Sequence, residues 1–139
     1  MNEENEWGLR PLSPSEAARL RELAKAVGED LGQFGLALYN HEAPDWETAA
    51  GGLEIEVDAF DDAAGGIWLS WAVHPALRRA SREAYQTGSP NISVIRAAGN
   101  VHERMAPAIL SMLQALGYVA ENSDDDYRPF AVKVLSGPR

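Results

Sequence analysis

Three acidic side chains alternate with apolar ones in one short segment of the chain. In an extended strand every second side chain points to the same face, about 6 to 7 Å from the next, so Glu54, Glu56 and Asp58 are expected to share a face. Carboxylates at this spacing are compatible with general acid and base catalysis, because their mutual repulsion raises one pKa. Catalysis also needs a cleft, and the sequence shows none.

A second alternating segment, from Ile67 to His74, supplies aromatic and polar side chains for the same face. Acidic side chains around an aromatic anchor favour the recognition of a basic protein surface, because the charges attract the partner and the ring is buried on binding. The alternative is an ordinary solvated face of a half-exposed sheet. The predicted partner-binding residues are Glu54, Glu56, Asp58, Phe60, Trp68 and His74.

Three histidines, His41, His74 and His102, could combine with carboxylates to bind zinc, manganese or iron. No spacing such as H-E-x-x-H places two imidazoles on one face of a helix. The sequence therefore predicts no metal site, no cofactor and no catalytic residue, with the histidines at the surface or at helix caps. A small metal-dependent hydrolase that uses these histidines is kept as an alternative function.

Other motifs that carry chemistry are missing from the sequence. There is no cysteine, no glycine-rich phosphate loop and no G-x-S-x-G nucleophile motif. The acidic stretch Asn122–Asp126 lacks the calcium-loop pattern, because Tyr127 and Lys133 stand where glycine and glutamate are needed. This stretch is expected to be an exposed loop.

The charge balance restricts the partners. The 139 residues include 12 Lys and Arg against 21 Asp and Glu, a formal net charge of -9. The resulting field repels nucleic acid and anionic membranes. Because no apolar run is long enough for a membrane span or a signal-peptide core, a cytoplasmic location is expected. The predicted partner is a basic protein, and homodimerisation through an exposed hairpin or edge strand is a third hypothesis.

The first predicted element is a helix. Ser13 and Glu16 form a capping box, and Pro14 occupies the first helical position. The apolar spacing continues in helical phase through Leu20, Ala24, Val27, Leu31, Phe34 and Leu38. This pattern favours one long helix, with room for a kink, to about Tyr39. Because glycines interrupt it, two helices that break near Gly28 are one alternative, and a strand over residues 33–40 is another.

The two alternating segments predict a β-hairpin, with the loop Asp61 to Gly65 between the strands. Pairing Phe60 with Gly66 sets Leu53 opposite Val73 and brings both apolar sets to one face. The carboxylates then share the other face with Trp68.

The remaining pattern predicts further helices and a second hairpin. Residues 89–99 are nearly balanced between helix and strand. The other expected elements are a helix from Pro75 to about Thr87 stopped by Gly88, a helix capped by Asn100 and Glu103 that contains Pro107 and closes at Gly117, and strands over residues 118–121 and 130–135 around the loop 122–129.

Separate helices and hairpins, without regular strand-helix-strand alternation, predict an α+β fold. About four antiparallel strands in two hairpins would be packed on one face by three or four helices. Residues 13–139 are expected to form this single domain after a flexible acidic extension, residues 1–12. The favoured function is a non-catalytic acidic module that binds a basic protein. In size and charge the chain is similar to acidic inhibitor and immunity proteins that neutralise basic toxins and nucleases, although no shared motif supports the comparison.

Overall fold

Three helices and one four-stranded sheet make up the regular elements of the described chain. The computed structural model describes residues 10–40, 42–44, 50–62, 64–87 and 92–138. The elements are α1 (Pro14–Gln33), β1 (Gly52–Asp58), β2 (Gly66–Ala72), α2 (Pro75–Gln86), α3 (Ile92–Ala115), β3 (Val119–Asn122) and β4 (Val132–Ser136). The strands pair antiparallel in the order β1-β2-β4-β3, which confirms the predicted α+β class. Within these residues no helix is both long and apolar enough to cross a membrane.

The core lies between the sheet and the helices α1 and α3. Alternate residues of the three strands β1, β2 and β4 meet the apolar stripes of these helices, and burial of each large side chain contributes roughly 1.5 to 3 kcal/mol. The fully buried members are Val27, Leu31, Leu53, Ile67, Leu69, Ile109, Leu113 and Val132. One face of the sheet is therefore covered, as predicted, and the acidic side chains of β1 lie on the other.

The hairpin of β1 and β2 forms as predicted, but its register is wrong by two residues. Leu53 pairs with Trp71 instead of Val73, and the ladder ends at Asp58 with Gly66. The chain leaves the ladder there because the Asp58 carboxylate accepts a hydrogen bond from the Phe60 N–H. A slip of two residues keeps every side chain on its face, so the predicted faces are correct.

The helix α1 begins at Pro14 as predicted and ends at Gln33, six residues before Tyr39. Gly35 follows with a φ of 100°, where a side chain would be strained. The N–H groups of Gly35 and Leu36 donate to the carbonyls of Gly32 and Leu31, which closes the helix in a Schellman motif. The prediction of a helix to Tyr39 is therefore wrong.

The segment after α1 returns to the sheet instead of continuing the helix. Leu38 forms a parallel bridge with Leu53 at the outer edge of β1. Gly52 permits this approach, because a Cβ at that position would lie 2.4 Å from the carbonyl oxygen of Ala37. The alternative of an extended segment over residues 33–40 is thus correct only around Leu38.

The helix α3 begins at Ile92, so residues 92–99 are helical and Asn100 does not cap the helix. Ile95, Ala98 and His102 are partly buried at helical spacing, and this stripe continues into the core positions farther along. Asn100 lies on the exposed side, where a polar residue is tolerated inside a helix. Pro107 lies inside α3, and Gly117 follows its end with a φ of 91°. The predicted stop of α2 at Gly88 lies outside the described residues.

The residues just before α1 also join the sheet. The Leu12 N–H donates to the Ala59 carbonyl, and the Asp61 N–H donates to the Arg10 carbonyl. Residues 10–12, the end of the predicted extension, are thus hydrogen-bonded to the turn of the hairpin. Residues 1–9 lie outside the described residues.

Tyr118 connects the beginning of β3 with α1. Its ring is buried, and its hydroxyl donates a hydrogen bond to the Asp30 carboxylate. Burial raises the pKa of Tyr118 to about 12, and the hydrogen bond with Asp30 adds to the shift. We expect Tyr118→Phe to lower the free energy of unfolding by about 1 kcal/mol, because a hydrogen bond between secondary elements is lost.

Urea unfolding monitored by circular dichroism measures this change. Tyr127→Phe is the matched control, because Tyr127 is 95% exposed and its substitution should leave the midpoint unchanged. Equal midpoints for the two variants would show that the bond to Asp30 does not stabilise the fold.

Candidate functional site

A row of side chains crosses all four strands on the face of the sheet opposite the core. The register places Glu56 beside Trp68, Trp68 beside Lys133, and Lys133 beside Glu121. Side chains directly opposite each other in antiparallel strands lie on one face at contact distance. The predicted sharing of a face by Glu56 and Trp68 is therefore present, and Lys133 and Glu121 extend the row beyond the hairpin.

Trp68 is covered by the protein itself. It is 3% exposed, and its indole N–H donates to the Ala64 carbonyl at 2.9 Å. The Arg128 guanidinium lies 4.7 Å from the ring centroid and the Lys133 ammonium lies 5.1 Å from it, both within the range of cation–π attraction. In this arrangement the ring is covered, so the predicted contact of Trp68 with a partner would require the covering side chains of Arg128 and Lys133 to move.

Arg128 links the acidic residues of β1 with the loop after β3. Its guanidinium donates two hydrogen bonds to the Glu56 carboxylate, at 2.9 and 3.2 Å, and one to Asp58 at 3.2 Å. A fourth bond, of 3.1 Å, reaches the Asp125 carboxylate. The hydrogen bonds that Arg128 donates to Glu56 are the main cause that raises the pKa of Arg128 above its ordinary value. Planar guanidinium groups suit such forked contacts, which hold several carboxylates together.

The loop that carries Arg128 is ordered by its own short contacts. The Asp125 N–H donates to Ser123 Oγ, and the Tyr127 N–H donates to the Asp125 carboxylate. The expectation of an exposed loop is correct for Asp124 and Asp126 but not for Asp125, which is half-buried against Arg128. Arg128 is not among the residues predicted for the site. The available signal was its position as the one basic residue between Glu121 and Val132.

A groove runs along the outer edge of β1. It encloses about 690 Å³ and has acidic and apolar walls. The described side chains that matter for its chemistry are Leu38, Tyr39, Glu42, Glu54, Ile55 and Glu56. Two of the predicted site residues, Glu54 and Glu56, thus lie at the groove. One wall of the groove comes from the segment after α1, around Leu38, which was predicted to be helical.

The two remaining predicted site residues, His74 and Phe60, lie away from the groove. His74 lies beyond the end of β2 and caps α2, where its Nδ1 accepts a hydrogen bond from the Ala76 N–H at 3.0 Å. This end of the hairpin is opposite the end that carries Asp58, so the structure does not bring His74 to Arg128 and its carboxylates. Phe60 is at the exposed turn of the hairpin, where its backbone forms a bridge with Pro11.

The histidines do not assemble a metal centre in the part of the chain that the structure describes. There, no group of three His, Cys, Asp or Glu side chains could hold a metal ion. His102 lies on α3 and is partly buried, and its Nε2 has no hydrogen-bond partner among the described residues. Burial, and then the positive charge of Arg78, lower the pKa of His102. His41 lies outside the described residues.

Two of the three predicted acidic residues of β1 are bonded to the same cation. Glu56 and Asp58 accept hydrogen bonds from one guanidinium, which is typical of an ion-pair network at a protein surface. Comparison with protein-family models, curated proteins and solved structures found no significant match to the chain. The function is therefore inferred from the geometry and charge of this surface.

Arg128→Met should destabilise the protein by about 2 kcal/mol, because three carboxylates lose a common partner while an aliphatic stem of similar length is kept. The exposed Arg82 of α2 supplies a matched control, Arg82→Met, with the same change of charge and no expected loss. Chemical unfolding of both variants measures the difference. Arg128→Lys should recover only part of it, since an ammonium cannot form the forked contacts. Full stability of Arg128→Met would contradict this account of the network.

His102 should make the fold less stable in mild acid. Its pKa in the folded protein is below the ordinary value of 6.5, so the unfolded chain takes up a proton more readily as the pH falls from about 7.5 to 5.5. The contribution of neutral His102 to the free energy of unfolding is complete above this pH window and is lost as the pH falls through it. The free energy of unfolding of the wild type, measured relative to that of His102→Gln, should therefore decrease as the pH is lowered. An NMR titration checks the cause, and a His102 midpoint at or above 6.5 would contradict it.

Proposed function

We propose that this protein is a non-catalytic module that binds a basic protein through the acidic edge, defined as the groove beside β1 together with Glu54, Glu56 and Asp58. The observation that carries the proposal is the charge of the groove. Glu42, Glu54 and Glu56 line it, whereas no lysine or arginine of the described residues does. Such a groove attracts lysine and arginine side chains and disfavours anionic partners.

The charge of the whole chain supports the same partner. A net charge of -9 on 139 residues produces a field that accelerates encounters with cationic proteins. At the acidic edge this field is only partly balanced, because Glu56 remains 56% exposed although it is bonded to Arg128. Its outer surface can therefore accept further hydrogen bonds from a partner. Inhibition of a basic enzyme is one form of this function that suits the size and charge of the chain.

The apolar part of the contact is assigned to Leu38 in place of Trp68. Leu38 is 57% exposed and stands in the wall of the groove close to the acidic side chains. An apolar group beside charged ones is suited to bind the stem of a lysine or an apolar side chain of the partner. Trp68 has a supporting role beneath Arg128.

The proposal predicts that neutralising the acidic edge abolishes binding by protein that is still folded, although less stable because Arg128 loses charged partners; circular dichroism checks that the variant is folded at the assay temperature. The test variant carries Glu54→Gln, Glu56→Gln and Asp58→Asn. The control carries Glu22→Gln, Glu83→Gln and Glu103→Gln, which change the net charge equally at exposed positions on the helices. Tagged full-length forms are used to capture proteins from the native cells at low and high salt, with quantification by mass spectrometry.

The wild type and the control should enrich the same basic protein, with at least about tenfold less recovered by the test variant, because several attractive charges are lost at once. High salt should weaken the capture, since it screens these charges. Equal recovery by the test and control variants would show that net charge alone, rather than the acidic edge, governs binding, and the proposed site would be wrong.

A further inference from the structure

The outer edge of β1 is paired at both ends, and between them no described residue pairs with it. At one end Leu53 donates to the Ala37 carbonyl and accepts from the Tyr39 N–H. At the other end the carbonyl of Ala59 accepts from Leu12. These bonds show that the backbone groups of Leu53 and Ala59 point away from β2. Because the direction alternates along a strand, the groups of Ile55 and Val57 point outward as well.

Ile55 and Val57 thus present two N–H and two C=O groups to the groove. None of these four groups has a hydrogen-bond partner among the described residues. The preceding segment does not continue along the edge, because the Asn40 side chain accepts the Glu42 N–H and the Asn40 carbonyl accepts the Ala43 N–H, which turns the chain away. Open strand edges of this kind bind extended peptides as an additional strand.

The walls on the two sides of this opening have different chemistry. A residue of an added strand opposite Ile55 would point to the side of Leu38, which is apolar. Its neighbours in the added strand would point to the side of Glu54 and Glu56. The groove is therefore complementary to a segment in which apolar and basic residues alternate.

We infer that the basic partner binds by adding one extended segment, with alternating basic and apolar residues, to the edge of β1 at Ile55 and Val57. This inference rests on the proposed function and adds the conformation and the sequence pattern of the bound segment. A second copy of the chain does not suit the opening, because pairing of two β1 edges would bring Glu54, Glu56 and Asp58 of both copies together. Like charges that face each other across strands are destabilising.

The test uses the full chain and a short synthetic peptide of alternating lysine and valine, blocked at both ends. Two isomers carry backbone N-methyl groups, one on the valines and one on the lysines, so their charge is unchanged. An antiparallel added strand directs the valine amides to β1, and a parallel one directs the lysine amides there. Exactly one of the two isomers should therefore bind at least about tenfold more weakly than the parent, because it loses edge hydrogen bonds.

Amide hydrogen exchange by NMR locates the contact. Bound peptide should slow exchange at Ile55 and Val57, while Glu54 and Glu56, whose amides already face β2, serve as internal controls. Unchanged exchange at Ile55 and Val57 with saturating peptide would overturn strand addition. So would equal binding of both N-methyl isomers, or no binding of the parent peptide.

These outcomes separate the two proposals. If strand addition fails but the triple neutralisation of Glu54, Glu56 and Asp58 still abolishes capture of the basic protein, the acidic edge binds its partner through side chains alone. If that neutralisation changes nothing either, the proposed function fails as well. A wild-type dimer in light scattering whose formation protects Ile55 and Val57 would assign the edge to a second copy and overturn the inference.

Discussion

The β1 strand turns its apolar side chains to the helices and its acidic side chains to the opposite face. A slip of one residue would exchange the two sets, burying three carboxylates under α1 and α3 and exposing Leu53 to water. Burial of unpaired carboxylates costs far more than the few kcal/mol by which a domain of this size is stable. The alternation in β1 therefore determines which face of the sheet receives the helices, and the acidic surface is a direct result of the same pattern.

The acidic surface in turn depends on a cation within the chain. Glu56 and Asp58 are successive acids on one face, and Asp125 adds a third carboxylate from the loop. Arg128 binds all three and lies over Trp68, so one guanidinium reduces their repulsion and seals the indole from water. The loop after β3 is thereby held to the first hairpin, although the two are distant in sequence. The side of Glu56 away from Arg128 remains exposed to solvent.

The elements that depend on local pattern were predictable, whereas those that depend on distant contacts were not. The start of α1 at Pro14 follows from its capping box, and the faces of the first hairpin follow from alternation. The register was not predictable, because a slip of two residues preserves the faces and only the Asp58 turn distinguishes the pairings. The helix end at Gln33 was hidden by apolar residues that continue in helical phase, although Leu38 packs on the sheet.

The same distinction applies to the candidate site. The positions of Glu54, Glu56 and Asp58 on one face could be predicted from spacing alone. The burial of Trp68 could not, because it results from Arg128, which lies 60 residues farther along the chain. The groove also could not be predicted, since its wall at Leu38 exists only because α1 ends early.

An open strand edge is a liability, because any exposed strand of another chain can pair with it. In this protein the edge is shortened at both ends, by the segments around Leu12 and Leu38, so that the free backbone groups are confined to Ile55 and Val57. The remaining opening is bordered by carboxylates, which repel a second copy of the chain and other acidic strands. Under the proposed function the same charges attract a basic strand, so the features that prevent aggregation would also select the partner. The acidic residues of β1 would then act on specificity through exclusion as much as through attraction, which would account for their position beside the only stretch of the described β1 edge that is left unpaired.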